Sequence, residues 1–282
     1  MKRILILGYG YVGKAMTDFF KGHYNVEVYD PLLFGEKNAS KISEFKRRYK
    51  GYNITRVENY EQTRYDLAVV CVPTPMAEDG SCDISMVSEC VKKADAEVIL
   101  IKSTIRPHTT DNLKKYNKRI VFSPEYIGEG KYYVTSRMDF QTNMKATPFM
   151  ILGGDKEDCN YIFDLFISIA GPERTYFKTT ALNAELIKYM ENTYFGVKVT
   201  FANEMRNIVE AIGGDWYDVW QGWKLDPRVD VMHTAVFPDS RGFGGKCLPK
   251  DLNALVKASE QAGYKAEFLK QMLKSNEQFK KT

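Results

Sequence analysis

Cys247 stands in the run Gly242-Phe243-Gly244-Gly245-Lys246-Cys247-Leu248-Pro249-Lys250-Asp251. A thiol reacts as its thiolate, and this setting favours the thiolate. Pro249 fits the first turn of a helix that begins just after the cysteine, so the sulfur feels the helix's positive end. Lys246 and Lys250 flank it, and Asp251 lies one helical turn on, on the same face. The glycines let the backbone approach a ligand. These types at this spacing suit a nucleophile that is acylated and then released. The bland alternative is a buried, inert cysteine after a glycine turn.

Lys188 and Asn192 are spaced i, i+4, so a helix would project an ammonium and an amide from one face. Together they could polarise a hydroxyl or a developing alkoxide. By itself the pair is also what any solvated helix face shows. Glu125 and Glu129 fall in Ser123-Pro124-Glu125-Tyr126-Ile127-Gly128-Glu129-Gly130, just after a candidate strand. The loops Cys71-Val72-Pro73-Thr74-Pro75 and Ser103-Thr104-Ile105-Arg106-Pro107 also follow candidate strands. Such loops are where an α/β sheet binds ligands, although each alone could be a structural turn.

At the N-terminus, Gly8-Tyr9-Gly10-Tyr11-Val12-Gly13 is a G-x-G-x-x-G run between an apolar strand and a helical pattern. In that context Gly8 permits the sharp turn, Gly10 admits a pyrophosphate and Gly13 lets helix and strand pack closely. The helix N-terminus offers free N–H groups to the phosphates. Asp30 ends the second strand, where a carboxylate accepts from a ribose 2′-hydroxyl and repels a 2′-phosphate. The expected cofactor is therefore NAD rather than NADP.

These groups need elements to hold them. Candidate strands are Arg3–Leu7, Val26–Tyr29, Asp66–Cys71, Glu97–Lys102, Arg119–Phe122, Phe149–Leu152 and Thr175–Phe177. Most are separated by segments long enough for a crossover helix, the alternation of a parallel sheet. After Thr179 the texture becomes helical, with helices expected from Thr180 to Ile212 and over Trp216–Trp223, Leu248–Ala262 and Ala266–Lys280. The segment Leu225–Gly245 reads as an irregular loop.

Composition closes off other classes. At 282 residues the chain has room for two domains of about 150 residues each. Its net charge of +4 gives no reason to expect nucleic acid or a membrane surface. No apolar stretch reaches the length of a membrane span. Cys71, Cys82, Cys90, Cys159 and Cys247 are odd in number and form no C-x-x-C pair. A disulfide framework and a metal site are thus not expected, and a reducing cytoplasm is the expected compartment.

Taken in order, these pieces resemble the UDP-glucose/GDP-mannose dehydrogenase family from Met1 to about Ala258. The Gly-Gly-x-Cys-x-Pro-Lys-Asp run ending at Asp251 is the most specific part. The Ala184-Glu185-Leu186-Ile187-Lys188…Asn192 stretch and the Asn203-Glu204 pair add to it. The resemblance implies a Rossmann-like, doubly wound, mostly parallel α/β sheet over 1–178. A mainly α-helical dimerisation domain carrying the cysteine loop would occupy 179–282. It implies oxidation of the C6 alcohol of a nucleotide sugar to a carboxylate with two NAD, UDP-glucose being the best single guess. Lys188, Asn192 and Asp251 would hold the C6 oxygen. Cys247 would form a thiohemiacetal and then a thioester, and Thr104, Glu129 and Asp251 would position the hydrolytic water.

By the same resemblance, Tyr11, Val12, Thr74, Thr104 and Lys250 join Gly8, Gly10, Gly13 and Asp30 beside the dinucleotide. Glu125, Glu129, Lys188, Asn192, Phe237, Ser240 and Gly244 would cradle the substrate. Arg228 would reach the substrate of a second subunit in a homodimer. There are departures. His108 stands where the family commonly has glycine, Gly128 where it commonly has arginine, and the basic residue usual after Asp30 is matched only by Lys37, at a different spacing. The loop from Arg228 to Cys247 is slightly long, and the family's third, C-terminal α/β domain has no counterpart in this sequence. Two alternatives remain. One is a two-electron β-hydroxyacid dehydrogenase, which has no use for the thiol. The other is a non-catalytic or partner-dependent protein that binds NAD or a nucleotide sugar.

Overall fold

The computed structural model describes residues 1–116, 118–127, 143–245 and 247–281, without the side chain of Glu36. Among the described residues eight strands form one sheet: β1 (Arg3–Leu7), β2 (Asn25–Tyr29), β3 (Ile54–Arg56), β4 (Arg64–Val70), β5 (Asp95–Ile101), β6 (Ile120–Phe122), β7 (Phe149–Gly153) and β8 (Thr175–Thr179). Their order is β3-β2-β1-β4-β5-β6-β7-β8. All neighbours are parallel except β6 and β7. The sheet therefore runs outward in both directions from β1 and β4, and the loops after those strands flank the point where strand order reverses.

The centre of the sheet is apolar on both faces because both are covered. Ile4 and Ile6 of β1, Leu67 and Val69 of β4, and Val98 and Leu100 of β5 join one core cluster. Leu5, Leu7, Ala68, Val70, Ile99 and Ile101 join the other. Successive side chains on a strand point to opposite faces, so one continuous run builds two cores. Each such buried Ile or Leu contributes about 1.5–3 kcal/mol. The helices α1 (Tyr11–Phe20) and α5 (Lys156–Ala170) supply Phe19, Phe20, Ile162 and Phe166 to the first cluster. The helix α3 (Ser85–Lys93) supplies Val87 and Val91 to the second. Two shorter elements, α2 (Ala39–Arg48) and α4 (Thr109–Leu113), complete the sheet region.

The expected parallel α/β architecture is present, with one strand more than expected. β3 has only 3 residues, pairs with β2 alone and buries only Ile54 well, so its sequence carries little alternation.

The helical segments follow as α6 (Ala181–Ile212), α7 (Trp216–Trp223), α8 (Leu248–Gln261) and α9 (Glu267–Phe279). α6 is 32 residues long. Gly196 interrupts it without breaking it, since a Cβ there would lie 2.7 Å from Leu252 of α8. Glycine here is a packing requirement between helices. α6 ends at Gly213, which has φ +90. Asp215 then caps α7 by accepting from Asp218 N at 2.9 Å.

The residues cluster into two compact units. The first comprises Met1–Thr74 and Asp83–Lys188, and the second Pro75–Cys82 and Tyr189–Thr282. The change falls inside α6. The small turn Pro75–Cys82, closed by Ala77 N donating to Ser81 O at 2.8 Å, goes with the second unit. No helix among the described residues is long and apolar enough to cross a membrane.

Candidate active site

In the first unit the glycine run follows β1 and Gly10 precedes the first turn of α1. Gly8 has φ +92, and a Cβ on it would lie 2.8 Å from Cys71 O. A Cβ on Gly13 would lie 1.9 Å from Gly8 O. Those two glycines are fixed by the protein's own packing. Gly10 differs: no described atom lies within 4 Å of where its Cβ would be. Open space beside the start of a helix is what a pyrophosphate requires, so the residues present fit a dinucleotide.

Asp30 sits at the end of β2. Its carboxylate accepts from Tyr9 N at 2.6 Å and from Leu32 N at 2.7 Å, tying the glycine loop to the second strand. Tyr9 also anchors the loop through its ring. It meets Phe45 edge-on at 5.2 Å, and its hydroxyl donates to Tyr49 at 3.0 Å. Burial pushes the Tyr9 hydroxyl up to about 12, so it remains a donor. The ring of Tyr11 is exposed, Val12 packs against the core and Thr74 is buried.

The loops after β5 and β6 carry the other groups of this unit. Ser103 Oγ donates to Val72 O at 2.7 Å, which joins the loop bearing half-buried Thr104 to the loop after β4. Glu185 of α6 is wholly buried. It accepts from His108 N at 2.7 Å, Thr110 N at 2.8 Å and Thr110 Oγ1 at 2.6 Å. Burial raises its carboxyl pKa despite these bonds.

One turn along α6, Lys188 Nζ donates to the backbone carbonyl of Glu125 at 2.6 Å. The Glu125 carboxylate turns inward. One oxygen accepts from Tyr126 N at 2.7 Å and Ile127 N at 2.8 Å, and the other faces Lys102 Nζ at 3.3 Å. Lys102 is buried and also donates to Ser123 Oγ at 3.1 Å and Pro124 O at 2.9 Å. Sequence reasoning named Glu125 and passed over Lys102. The available signal was a lysine directly after the buried apolar run Val98–Ile101, where a cation must have a partner. Glu129 and Gly128 lie outside the described residues.

In the second unit Cys247 occupies the N-cap position of α8 and is half-buried. Its carbonyl accepts from Asp251 N at 2.9 Å, so Asp251 stands one turn into the helix. Asp251 is buried between two donors: Asn192 Nδ2 at 2.5 Å and Lys250 Nζ at 2.5 Å. Lys250 Nζ also lies 3.9 Å from Cys82 Sγ. The structure thus gives Lys250, expected beside the dinucleotide, a carboxylate partner within the second unit. Lys246 lies outside the described residues.

Phe237 and Ser240 are exposed and joined by Ser240 N donating to Phe237 O at 3.2 Å. Gly244 is exposed. Arg228 is 87% exposed and pairs with Asp226, its Nε donating at 2.9 Å. A surface pair of this kind contributes little to stability. Chemically, the unit presents a thiol at a helix N-terminus with an ionisable carboxylate, an amide and an ammonium held in one buried group.

The model of the UDP-glucose/GDP-mannose dehydrogenase family NAD-binding domain matches residues 30–164, and that of the family's central domain matches 182–278. A UDP-glucose 6-dehydrogenase of Rickettsia felis is 29% identical over 95% of this chain, which spans 61% of that relative's length. A UDP-N-acetyl-D-mannosamine dehydrogenase of Methanococcus maripaludis is also 29% identical, over 94% of the chain and 63% of the relative. Among solved structures, a UDP-glucose dehydrogenase of Pyrobaculum islandicum superposes with a TM-score of 0.79 at 22% identity. It covers 98% of this chain and 68% of that one, a likeness of fold. The NAD-binding match begins at Asp30, just after the glycine run, and NAD is the cofactor. Glycine cradle, thiol at a helix start and both domain matches lead to one conclusion: the chain belongs to the UDP-glucose/GDP-mannose dehydrogenase family.

Proposed function

We propose that this chain oxidises the C6 alcohol of a nucleotide sugar to a carboxylate in two steps, with UDP-glucose as the first substrate to test. The observation that carries this reading is Cys247 at the N-cap of α8, one turn from the buried Asp251–Asn192–Lys250 group. A two-electron dehydrogenase needs no such thiol.

NAD, when bound along Gly8–Gly13 and Asp30, supplies the hydride acceptor for each oxidation. In the first unit Lys188 stabilises negative charge on the C6 oxygen as the alcohol becomes an aldehyde. In the second unit Asn192 and Asp251 orient that oxygen, and the Asp251 carboxylate takes up its proton. The Cys247 thiolate adds to the aldehyde carbon, forming a carbon–sulfur bond and placing the electron pair on oxygen as a thiohemiacetal. Loss of the second hydride from that carbon leaves a thioester. Water, positioned by Thr104, Glu129 and Asp251, adds to the thioester and expels the thiolate, leaving the uronate. The loop of Glu125, together with Phe237, Ser240 and Gly244, receives the sugar nucleotide, and Tyr11, Val12, Thr74 and Lys250 lie toward the cofactor.

The second unit also exposes Met190, Tyr194, Phe201, Ile208 and Ile212 along α6. Their spacing makes one apolar stripe, the feature that supports a homodimer through these helices, with Arg228 directed to the partner. The odd, unclustered cysteines support a reducing, cytoplasmic setting.

The test is NADH formed per uronate with UDP-glucose, UDP-N-acetylmannosamine and GDP-mannose. The expected result is two NADH per acid, with acid formation lost in Cys247→Ala while NAD binding survives. One NADH per turnover and no acid would replace this reading with a two-electron dehydrogenase. No turnover, with NAD at 100 times its Kd stabilising the fold by about 2.7 kcal/mol, would point to a binding protein.

A further inference from the structure

The segment Arg241–Phe243 precedes the catalytic loop, and two buried asparagines hold its backbone. Asn203, on α6, accepts from Arg241 Nε at 2.7 Å and from Gly242 N at 3.3 Å through its side chain. Its backbone carbonyl accepts from Arg241 Nη2 at 3.2 Å. Asn276, on α9, makes the tighter contact. Its Oδ1 accepts from Phe243 N at 2.6 Å, and its Nδ2 donates to Phe243 O at 2.9 Å. One amide thus satisfies both polar groups of one residue, as a neighbouring strand would. Both asparagines are 1% exposed.

The fit is specific. Gly242 has φ +71, and a Cβ there would lie 2.6 Å from Asn276 Oδ1. The absence of a side chain at Gly242 and the presence of the amide at Asn276 are therefore one feature. The Phe243 ring then enters an apolar cluster with Leu252 of α8 and Met272 of α9, which Leu248, the residue after Cys247, also touches. The thiol is bracketed on its N-terminal side by a backbone clamp and on its C-terminal side by the helix that starts at Leu248. A thiolate gains from a helix N-terminus only while it stays within the first turn.

We propose that Asn276 is a positioning residue for Cys247: by holding the Phe243 backbone it keeps the thiol at the N-terminus of α8. This rests on the reading of Cys247 as the nucleophile, but its test needs no substrate. The full chain is alkylated with iodoacetamide from pH 6 to 10, and modification is followed on the Cys247 peptide. Hydrogen exchange at the Phe243 amide and thermal unfolding are measured alongside.

Asn276→Ala removes both bonds. Asn276→Asp keeps an acceptor for Phe243 N and sets an oxygen against Phe243 O. Met272→Ala opens the same core without touching the clamp. In Asn276→Ala, Phe243 exchange is expected to accelerate about tenfold or more, the effect of a lost hydrogen bond. In both Asn276 variants the pH midpoint of Cys247 alkylation is expected to rise by about half a unit or more. Met272→Ala is expected to lower Tm and leave that midpoint in place. An unchanged midpoint in Asn276→Ala or in Asn276→Asp overturns the proposal, as does an equal shift in Met272→Ala. A Phe243 amide that exchanges at the rate of an open loop in the unmodified chain overturns it without any variant. Should the chain prove inactive on every nucleotide sugar, these thiol and exchange readings still decide the role of Asn276.

Discussion

The two units hold their chemical groups by different means. In the first, Gly8, Thr104 and Glu125 follow the ends of β1, β5 and β6, and the sheet's register places them. In the second, Cys247 follows an irregular loop, and buried side-chain amides fix the backbone there. A sheet edge is rigid because every strand is bonded along its length. A loop between helices is rigid only where individual polar side chains replace those bonds. The polar centres differ too. Lys102 and Glu125 form a direct, buried charge pair, whereas Asp251 is shared between the amide of Asn192 and the ammonium of Lys250.

The largest effect should come from breaking the direct pair. Lys102→Met keeps the side-chain bulk but leaves the 10%-exposed Glu125 carboxylate without its cation. The expected cost is about 3–5 kcal/mol, measured by urea unfolding. Lys102→Met combined with Glu125→Gln should recover part of it. A loss below about 1 kcal/mol for the single variant would mean that backbone N–H groups alone sustain Glu125. In the second unit, Asn192→Ala removes one of two donors to Asp251 and should cost less, about 1–3 kcal/mol. Equal losses in the two variants would erase the distinction between the centres.

That distinction also explains what the sequence made legible. The glycine run, Asp30 and the apolar strands advertise themselves through spacing and period, because a sheet imposes both. The start of α8 at Leu248 was legible from Pro249, and α7 from Trp216 to Trp223 was found at its observed ends. β3 was missed because 3 residues on an edge carry too little alternation. Lys102, Glu185 and Asn276 were missed as holders of the site for another reason. Their partners are 23, 77 and 33 residues away, beyond any local pattern. A buried polar side chain has meaning only once its partner is known.

Among the described residues other than glycine, two have positive φ, and each unit has one: His108 at 68 and His233 at 64. Their side chains do different things. The His233 ring lies 4.3 Å from Phe195 and is half-buried. Burial, then the Lys198 ammonium, push its pKa down from 6.5 to about 4, with Asp230 opposing. A base depressed in the fold gives stability that is present above the unfolded value and lost as pH falls. The loss should run from pH 6.5 to about 4, as the unfolded chain takes up a proton that the folded one refuses. Allowing for partial solvent screening, its size should be about 1 kcal/mol. His233→Asn, which tolerates the same backbone, should flatten that part of the pH profile in urea unfolding. A profile that keeps its slope would assign the acid loss to other groups.

His108 gives the smallest effect and the sharpest contrast. Its backbone N–H donates to Glu185, a bond that glycine would keep. A left-handed conformation costs a residue with a Cβ about 1–2 kcal/mol, and glycine loses about 0.5–1 kcal/mol more chain entropy on folding. His108→Gly should therefore raise stability by about 0.5–1 kcal/mol, read as a higher urea midpoint with an unchanged slope. His233→Gly should gain nothing, because the relief of strain is cancelled by the lost packing on Phe195. If both glycine variants were stabilised alike, the His233 ring would contribute no more than that of His108. The second unit would then hold its loop through the asparagine clamp and the Asp251 group, with no share from ring packing.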